Sequence, residues 1–363
     1  MKYLPIENEL FKLNRRRFTQ QMAPNTIAIF HSNDLMPRNG DGFFPFRQNS
    51  QLFYLSGLDQ EETVVVLFPD CIKDGFREVA FIKRTDEYIR RWEGYKYTKE
   101  EARKISGIAK IFWLDEMETI LRELILLSDG VYLNINEHDR FETEVPSKDL
   151  RFARHLRDQY PLHQLYRAQP ILRNLAMQKS EWEVGLIGQA IDITAKAFNR
   201  VLETTRPGLW EFEVEAEITA AFLKNRASGH AYTPIVASGA NSCVLHYIDN
   251  NRQCKDGAVL LLDFGAEYAN YAADMTRTIP VNGQFSPRQK AVYEAVLRVM
   301  RGAIPMLVPG MMLEEYHKEV GKRMEAELIQ LGLLDKTDVK NQDPLYPAYK
   351  KYFMHGTSHH LGL

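Results

Sequence analysis

Short apolar runs alternate with amphipathic stretches along the chain, a pattern that predicts mixed α and β structure throughout. Residues 7–22 place Leu10, Leu13 and Phe18 at helical spacing. Strands are predicted at Thr26–Phe30, Thr63–Phe68, Glu78–Ile82 and Gly130–Asn134, with Pro69-Asp70 and Asp74-Gly75 as turn signals. Residues 36–58, rich in Gly, Pro and aromatics, read as a loop entering a strand, and helices are predicted over 98–106 and 115–128. Strands alternating with helices imply a mixed-sheet α/β domain. The texture changes between Tyr160-Pro161 and Pro170, which places the first domain at 1–170.

The second domain, 171–363, opens with a long amphipathic helix from Arg173 to Thr204, carrying Trp182, Leu186, Ile193, Ala197 and Val201. Arg206-Pro207-Gly208 ends it, and a second helix runs from Glu211 to Arg226. Strands are predicted near 233–237, 244–248, 258–263 and 269–280, then helices near 286–304 and 312–332. Within this pattern the run Ala258–Leu262 has strand length, Gly265 breaks it, and Tyr268, Tyr271 and Thr276 suit a returning strand. The hairpin carries Asp263 on one strand and Asp274 on the other, 11 residues apart. On a continuous helix that spacing would separate the carboxylates by roughly 16 Å. Across a hairpin, with strands about 5 Å apart, they become neighbours. Two anions held together without a cation cost on the order of 4 kcal/mol at close range, so a bound metal accounts for the pair. The plain alternative is that both are ordinary turn or edge residues.

Composition narrows the remaining choices. A chain of 363 residues, 45% of them hydrophobic, can bury two cores. Net charge is −2 with scattered Lys and Arg, which gives no electrostatic footprint for nucleic acid. No apolar run approaches the roughly 18 residues of a membrane span, and the N-terminus lacks a secretory apolar region. Cys71, Cys243 and Cys254 form an odd set without metal-ligand spacing, as expected of a cytoplasmic protein with free thiols. Three histidines stand near the hairpin in sequence or follow it: His246 in an apolar stretch, and His355 and His359 in Met354–Gly362. His359 is a candidate imidazole ligand beside the two carboxylates. His246 and His355 are candidates to bind a substrate amide and to stabilise developing charge. Mostly oxygen ligands with one imidazole suit Mn²⁺, with Co²⁺, Fe²⁺ and Zn²⁺ as alternatives.

Three segments, AYTPIVASGANSCVLHY, LLLDFGAEYANYAADMTRTIPVNGQFSPRQKAVYEAVL and MHGTSHHLGL, resemble in order and spacing the metal-binding core of the M24 peptidases. RNGDGFFPFRQNSQLFYLSGL resembles the first domain of the aminopeptidase P branch, so the likeness spans nearly the whole chain. It implies a pita-bread catalytic domain preceded by a smaller mixed-sheet α/β N-terminal domain. It also implies two divalent metal ions, Mn²⁺ foremost, activating a hydroxide against the scissile carbonyl. By the same likeness Asp263 resembles the ligand of one ion, Asp274 the carboxylate bridging both, and His359 the imidazole ligand. His246 and His355 resemble the non-ligand histidines beside the scissile bond, His355 stabilising the oxyanion and His246 contacting the substrate amide. Trp92, in Arg90–Gly94, resembles a first-domain Trp that reaches a neighbouring subunit's site in some members, so a homodimer or homotetramer is expected.

The implied substrate is a peptide with proline second, whose tertiary amide has no N–H and whose φ is fixed. The rival activity is that of a prolidase on Xaa-Pro dipeptides. Creatinase-like relatives lack the metal, and binding proteins of the fold tend to lose ligands. Asp263, Asp274 and His359 are all present here. The family's two further Glu ligands and a further His fall beyond Leu363. Three side chains cannot satisfy two ions that each take about five or six ligands. A longer natural protein is the expectation, with an inactive fragment or a non-catalytic relative as alternatives.

Overall fold

The computed structural model describes residues 2–138 and 143–363. It divides into two compact units. One runs up to Gln189 and takes in Tyr268–Tyr271 and Leu363, and the other comprises Ala190–Glu267 and Ala272–Gly362.

In the first unit the apolar runs assemble into one six-stranded sheet. Its order is Lys110–Trp113, Glu78–Ile82, Val64–Leu67, Thr26–His31, Gly130–Leu133, Gln164–Arg167. Thr26–His31 pairs antiparallel with Val64–Leu67 and parallel with Gly130–Leu133, which makes the sheet mixed as the pattern implied. The central strands read as unbroken apolar runs because both faces are covered. Ile27, Ile29, Val64, Val66, Val79 and Phe81 enter one core, while Ala28, Phe30, Val65, Leu67, Ala80 and Ile82 enter the other. Two expectations fail here. Residues 50–56 form a helix rather than a strand, because Asn49 caps it by accepting the Gln51 and Leu52 N–H groups and Gly57 closes it at φ +67°. The long helix from Arg173 is two helices, Gln169–Met177 and Glu181–Thr204. Ser180 starts the second through a reciprocal cap, its N–H and hydroxyl donating to Glu183 at 2.8 and 2.9 Å while its hydroxyl accepts from the Glu183 N–H at 3.4 Å.

The second unit is built on a three-stranded antiparallel sheet, Ile235–Ser238, Val259–Phe264 and Met275–Pro280, with the middle strand paired on both sides. Val259–Phe264 alternates: Leu260, Leu262 and Phe264 are buried, whereas Leu261 and Asp263 lie on the more open face. Helix Glu211–Lys224 buries Val214, Ile218 and Phe222, four residues apart, and the Phe222 ring stands 6.1 Å from that of Phe264. Helices Pro287–Ala303 and Leu313–Gln330 pack through Val299, Ala303, Tyr316, Val320, Met324 and Leu328. Residues 244–248, expected as a strand, form a turn and coil after a short 3₁₀ segment. Val244, Leu245 and Ile248 are each more than half exposed, so an apolar triplet made the strand prediction although no sheet face receives it.

Phe264 is fully buried beside Asp263 in sequence. Phe264→Ala is expected to destabilise the protein by about 3–5 kcal/mol. Urea unfolding followed by circular dichroism measures it.

Candidate active site

Antiparallel pairing sets Asp263 opposite Thr276. Asp274 lies two residues before Thr276, so it occupies the diagonal position on the same face of the sheet. Asp263 is the penultimate residue of its strand, whereas Asp274 sits in a break between Tyr271–Ala272 and Met275–Pro280 rather than within a strand. The break depends on Gly265. A Cβ there would lie 1.7 Å from the Ala273 carbonyl oxygen and 3.1 Å from the Asp274 amide nitrogen, so only glycine admits this approach. Beyond the break the Ala273 N–H donates to the Ala266 carbonyl at 3.0 Å, and the Ala266 N–H donates to the Thr194 hydroxyl at 3.0 Å.

The two carboxylates converge on Tyr232, which the sequence reading did not single out. Its hydroxyl lies 2.6 Å from Asp263 Oδ1 and 3.0 Å from Asp274 Oδ1. One hydroxyl hydrogen therefore serves two anions. Burial, followed by the two carboxylates, raises the Tyr232 pKa far above that of an ordinary phenol, so it stays a neutral donor. The available signal was its position, three residues before the strand Ile235–Ser238, whose Ile235 pairs with Asp263.

His359 completes the cluster. Its Nε2 lies 3.0 Å from Asp274 Oδ2, and its Nδ1 lies 2.9 Å from the His360 carbonyl oxygen. The carbonyl can only accept, so Nδ1 carries the hydrogen and Nε2 turns a lone pair toward a carboxylate. That contact is favourable only with a proton or a metal ion between the partners. A ring nitrogen donating to a carbonyl while the other faces outward is the usual arrangement of a metal-ligating histidine. Two carboxylates short of donors and an imidazole lone pair thus fit a divalent cation. The set is partial: among the described residues, no three His, Cys, Asp or Glu side chains form a group able to hold a metal ion.

His246 and His355 take no part in the hydrogen bonds of this cluster among the described residues. His246 is on an exposed turn, not on an apolar strand, and His355 is exposed with Nδ1 2.7 Å from the Gly356 carbonyl oxygen. Trp92 belongs to the first unit, on helix Glu87–Glu93, where it is 73% exposed beside Tyr88. The turn bearing His246 is anchored by the buried Glu211, which accepts from Ser238, Tyr247 and Arg252. Burial alone would raise the Glu211 carboxyl, but those donors outweigh it and hold the group below the ordinary carboxylate value.

Residues 185–363 match metallopeptidase family M24, and residues 11–132 match the aminopeptidase P N-terminal domain. The Xaa-Pro aminopeptidase of Haemophilus influenzae is 33% identical over 360 residues, covering 99% of this chain and 80% of that protein. The chain belongs to metallopeptidase family M24. Among solved structures, Pseudomonas aeruginosa aminopeptidase PepP superposes with a TM-score of 0.87 at 33% identity, covering 99% of this chain and 80% of that one. Zn-substituted Escherichia coli aminopeptidase P in complex with product gives 0.85 at 30% identity, with 99% and 81% covered. As a member of this family the chain is a hydrolase that works with a divalent metal.

Two substitutions test the cluster. Tyr232→Phe is expected to keep the fold and weaken divalent-metal binding about tenfold, read by isothermal titration calorimetry, because the hydroxyl orients both carboxylates. Gly265→Ala is expected to weaken metal binding further and to destabilise the hairpin by about 1–3 kcal/mol, read by the same titration and by denaturant unfolding.

Proposed function

We propose that the protein is a metal-dependent aminopeptidase that releases the first residue from peptides with proline second. The observation that carries this reading is the lone pair of His359 Nε2 facing Asp274, beside two carboxylates that share one hydroxyl hydrogen. Similarity to Xaa-Pro aminopeptidases over 99% of the chain supports the substrate class. In this reading Asp263, Asp274 and His359 would each offer a ligand to the metal, with two Mn²⁺ ions as the intended occupants. When bound, the ions would polarise the scissile carbonyl and lower the pKa of the attacking water. Tyr232 keeps both carboxylates oriented and, as a neutral donor, adds no negative charge to them.

His246 binds the substrate amide. His355 serves the developing oxyanion: with Nδ1 committed to the Gly356 carbonyl, its Nε2 donates only when the ring is protonated. Proline second in the peptide offers a rigid ring and no amide N–H, so recognition rests on shape rather than on a backbone donor. Trp92, exposed beside Arg90 and Arg91, is suited to contact a second copy, consistent with a homodimer or homotetramer. Residues 1–170 would be the N-terminal domain and 171–363 the metallopeptidase domain. No described helix is long and apolar enough to cross a membrane. The three unpaired cysteines support a cytoplasmic setting.

The test is hydrolysis of an Xaa-Pro-Yaa tripeptide and an Xaa-Pro dipeptide after chelation and again with Mn²⁺ restored. Metal-dependent tripeptide cleavage is expected, and cleavage of the dipeptide alone would instead assign a prolidase. Asp263→Asn is expected to lower kcat/KM by at least about a hundredfold, since a metal ligand is lost. Tripeptide cleavage that survives chelation would overturn the reading.

A further inference from the structure

Glu211 is a fully buried carboxylate with no cationic partner among the described residues. It opens the helix Glu211–Lys224 and divides its two oxygens among five donors. Oε1 accepts from the Ser238 N–H and hydroxyl, both at 2.7 Å, and from Asn241 Nδ2 at 3.3 Å. Oε2 accepts from the Tyr247 hydroxyl at 2.7 Å and the Arg252 N–H at 2.9 Å. One helical turn on, Glu215 Oε2 accepts from Asn250 Nδ2 at 2.8 Å, and Asn250 Oδ1 accepts from the Val236 N–H at 2.9 Å. Two carboxylates on one helix face thus fasten both ends of the segment 239–251. Little else holds its middle: Val244, Leu245, His246 and Ile248 are exposed, and Tyr247 is the one side chain among them that turns inward.

We propose that Glu211 is a positioning residue whose carboxylate fixes the path of residues 239–252 and so places His246 against the substrate. The inference rests on the reading that His246 contacts substrate. A carboxylate is required because it only accepts. In glutamine one oxygen becomes an NH₂ group. Placed toward Tyr247 and Arg252, that group can be accommodated by Tyr247, whose hydroxyl already accepts the Asn251 N–H at 3.3 Å, but it leaves the Arg252 N–H facing another donor. Placed toward Ser238, it opposes a main-chain N–H of the sheet.

The experiment combines hydrogen exchange with a double-mutant cycle on the purified protein. Glu211→Gln is expected to speed amide exchange across 239–252 by roughly 10–100-fold, as loss of hydrogen bonds to a charged group predicts, while 259–264 is unchanged. Glu217→Gln, a control at the surface carboxylate paired with Arg200, is expected to leave both segments unchanged. For tripeptide hydrolysis, Glu211→Gln is expected to lower kcat/KM about tenfold in the native background and less than twofold in a His246→Ala background. Equal losses in the two backgrounds, or unchanged exchange in 239–252, would overturn the proposal. If His246→Ala leaves kcat/KM intact while Glu211→Gln loosens the segment, the link to catalysis falls and the fault lies with the reading of His246. Should Glu211→Gln unfold the unit, Tyr247→Phe is decisive instead, with about tenfold faster exchange confined to 239–252 expected and unchanged exchange contradicting the role.

Discussion

Bringing two carboxylates onto one face of a hairpin is the constraint on which the second unit turns. Asp263 and Asp274 repel each other at this approach. The backbone imposes the approach: the strand register sets Asp263 diagonal to Asp274, and Gly265 lets the Ala273 carbonyl come where a side chain would block it. Tyr232 then supplies one hydrogen between two acceptors, and His359 presents a lone pair to the outer one. A cluster so short of positive charge is poised for a cation.

The cost of holding such a cluster is met by apolar packing behind it. Leu260, Leu262 and Phe264 alternate with the exposed-face residues and anchor the same strand that bears Asp263. Phe264 meets Phe222 of the helix Glu211–Lys224, and that helix in turn offers Glu211 and Glu215 to the segment carrying His246. One strand and one helix therefore connect the hydrophobic interior with both groups of candidate site residues. Buried carboxylates as partners for main-chain and hydroxyl donors are costly to desolvate, and they are tolerated here because every oxygen of Glu211 is saturated.

The first unit follows a different logic. Its central strands are buried on both sides, so apolar residues on each face fill a separate core. Capping decided two features that apolar periodicity missed: Asn49 turns residues 50–56 into a helix, and Ser180 with Glu183 divides one long amphipathic stretch into two helices.

Much of this was legible in the chain itself. Continuous apolar runs located the core strands, and amphipathic spacing located the helices 99–106, 211–224, 287–303 and 313–330 to within a few residues. Glycine after an apolar run marked the Asp263–Asp274 hairpin, since local backbone chemistry acts over neighbours in sequence. The motifs carried the family. What the chain alone withheld depends on groups distant in sequence. Val244, Leu245 and Ile248 looked like a strand because hydropathy cannot tell whether a sheet face is waiting to cover them. Tyr232 gave no periodic signal, since its role arises only when the strand Ile235–Ser238 pairs beside Asp263. Glu211 stood in the sequence only as the start of a predicted helix, and folding surrounds it with donors from residues 238–252. Sequence determined the elements and the chemistry available, because propensity and hydropathy are local; tertiary structure decided which groups share protons and charge, because those depend on distances set only when the strands pair.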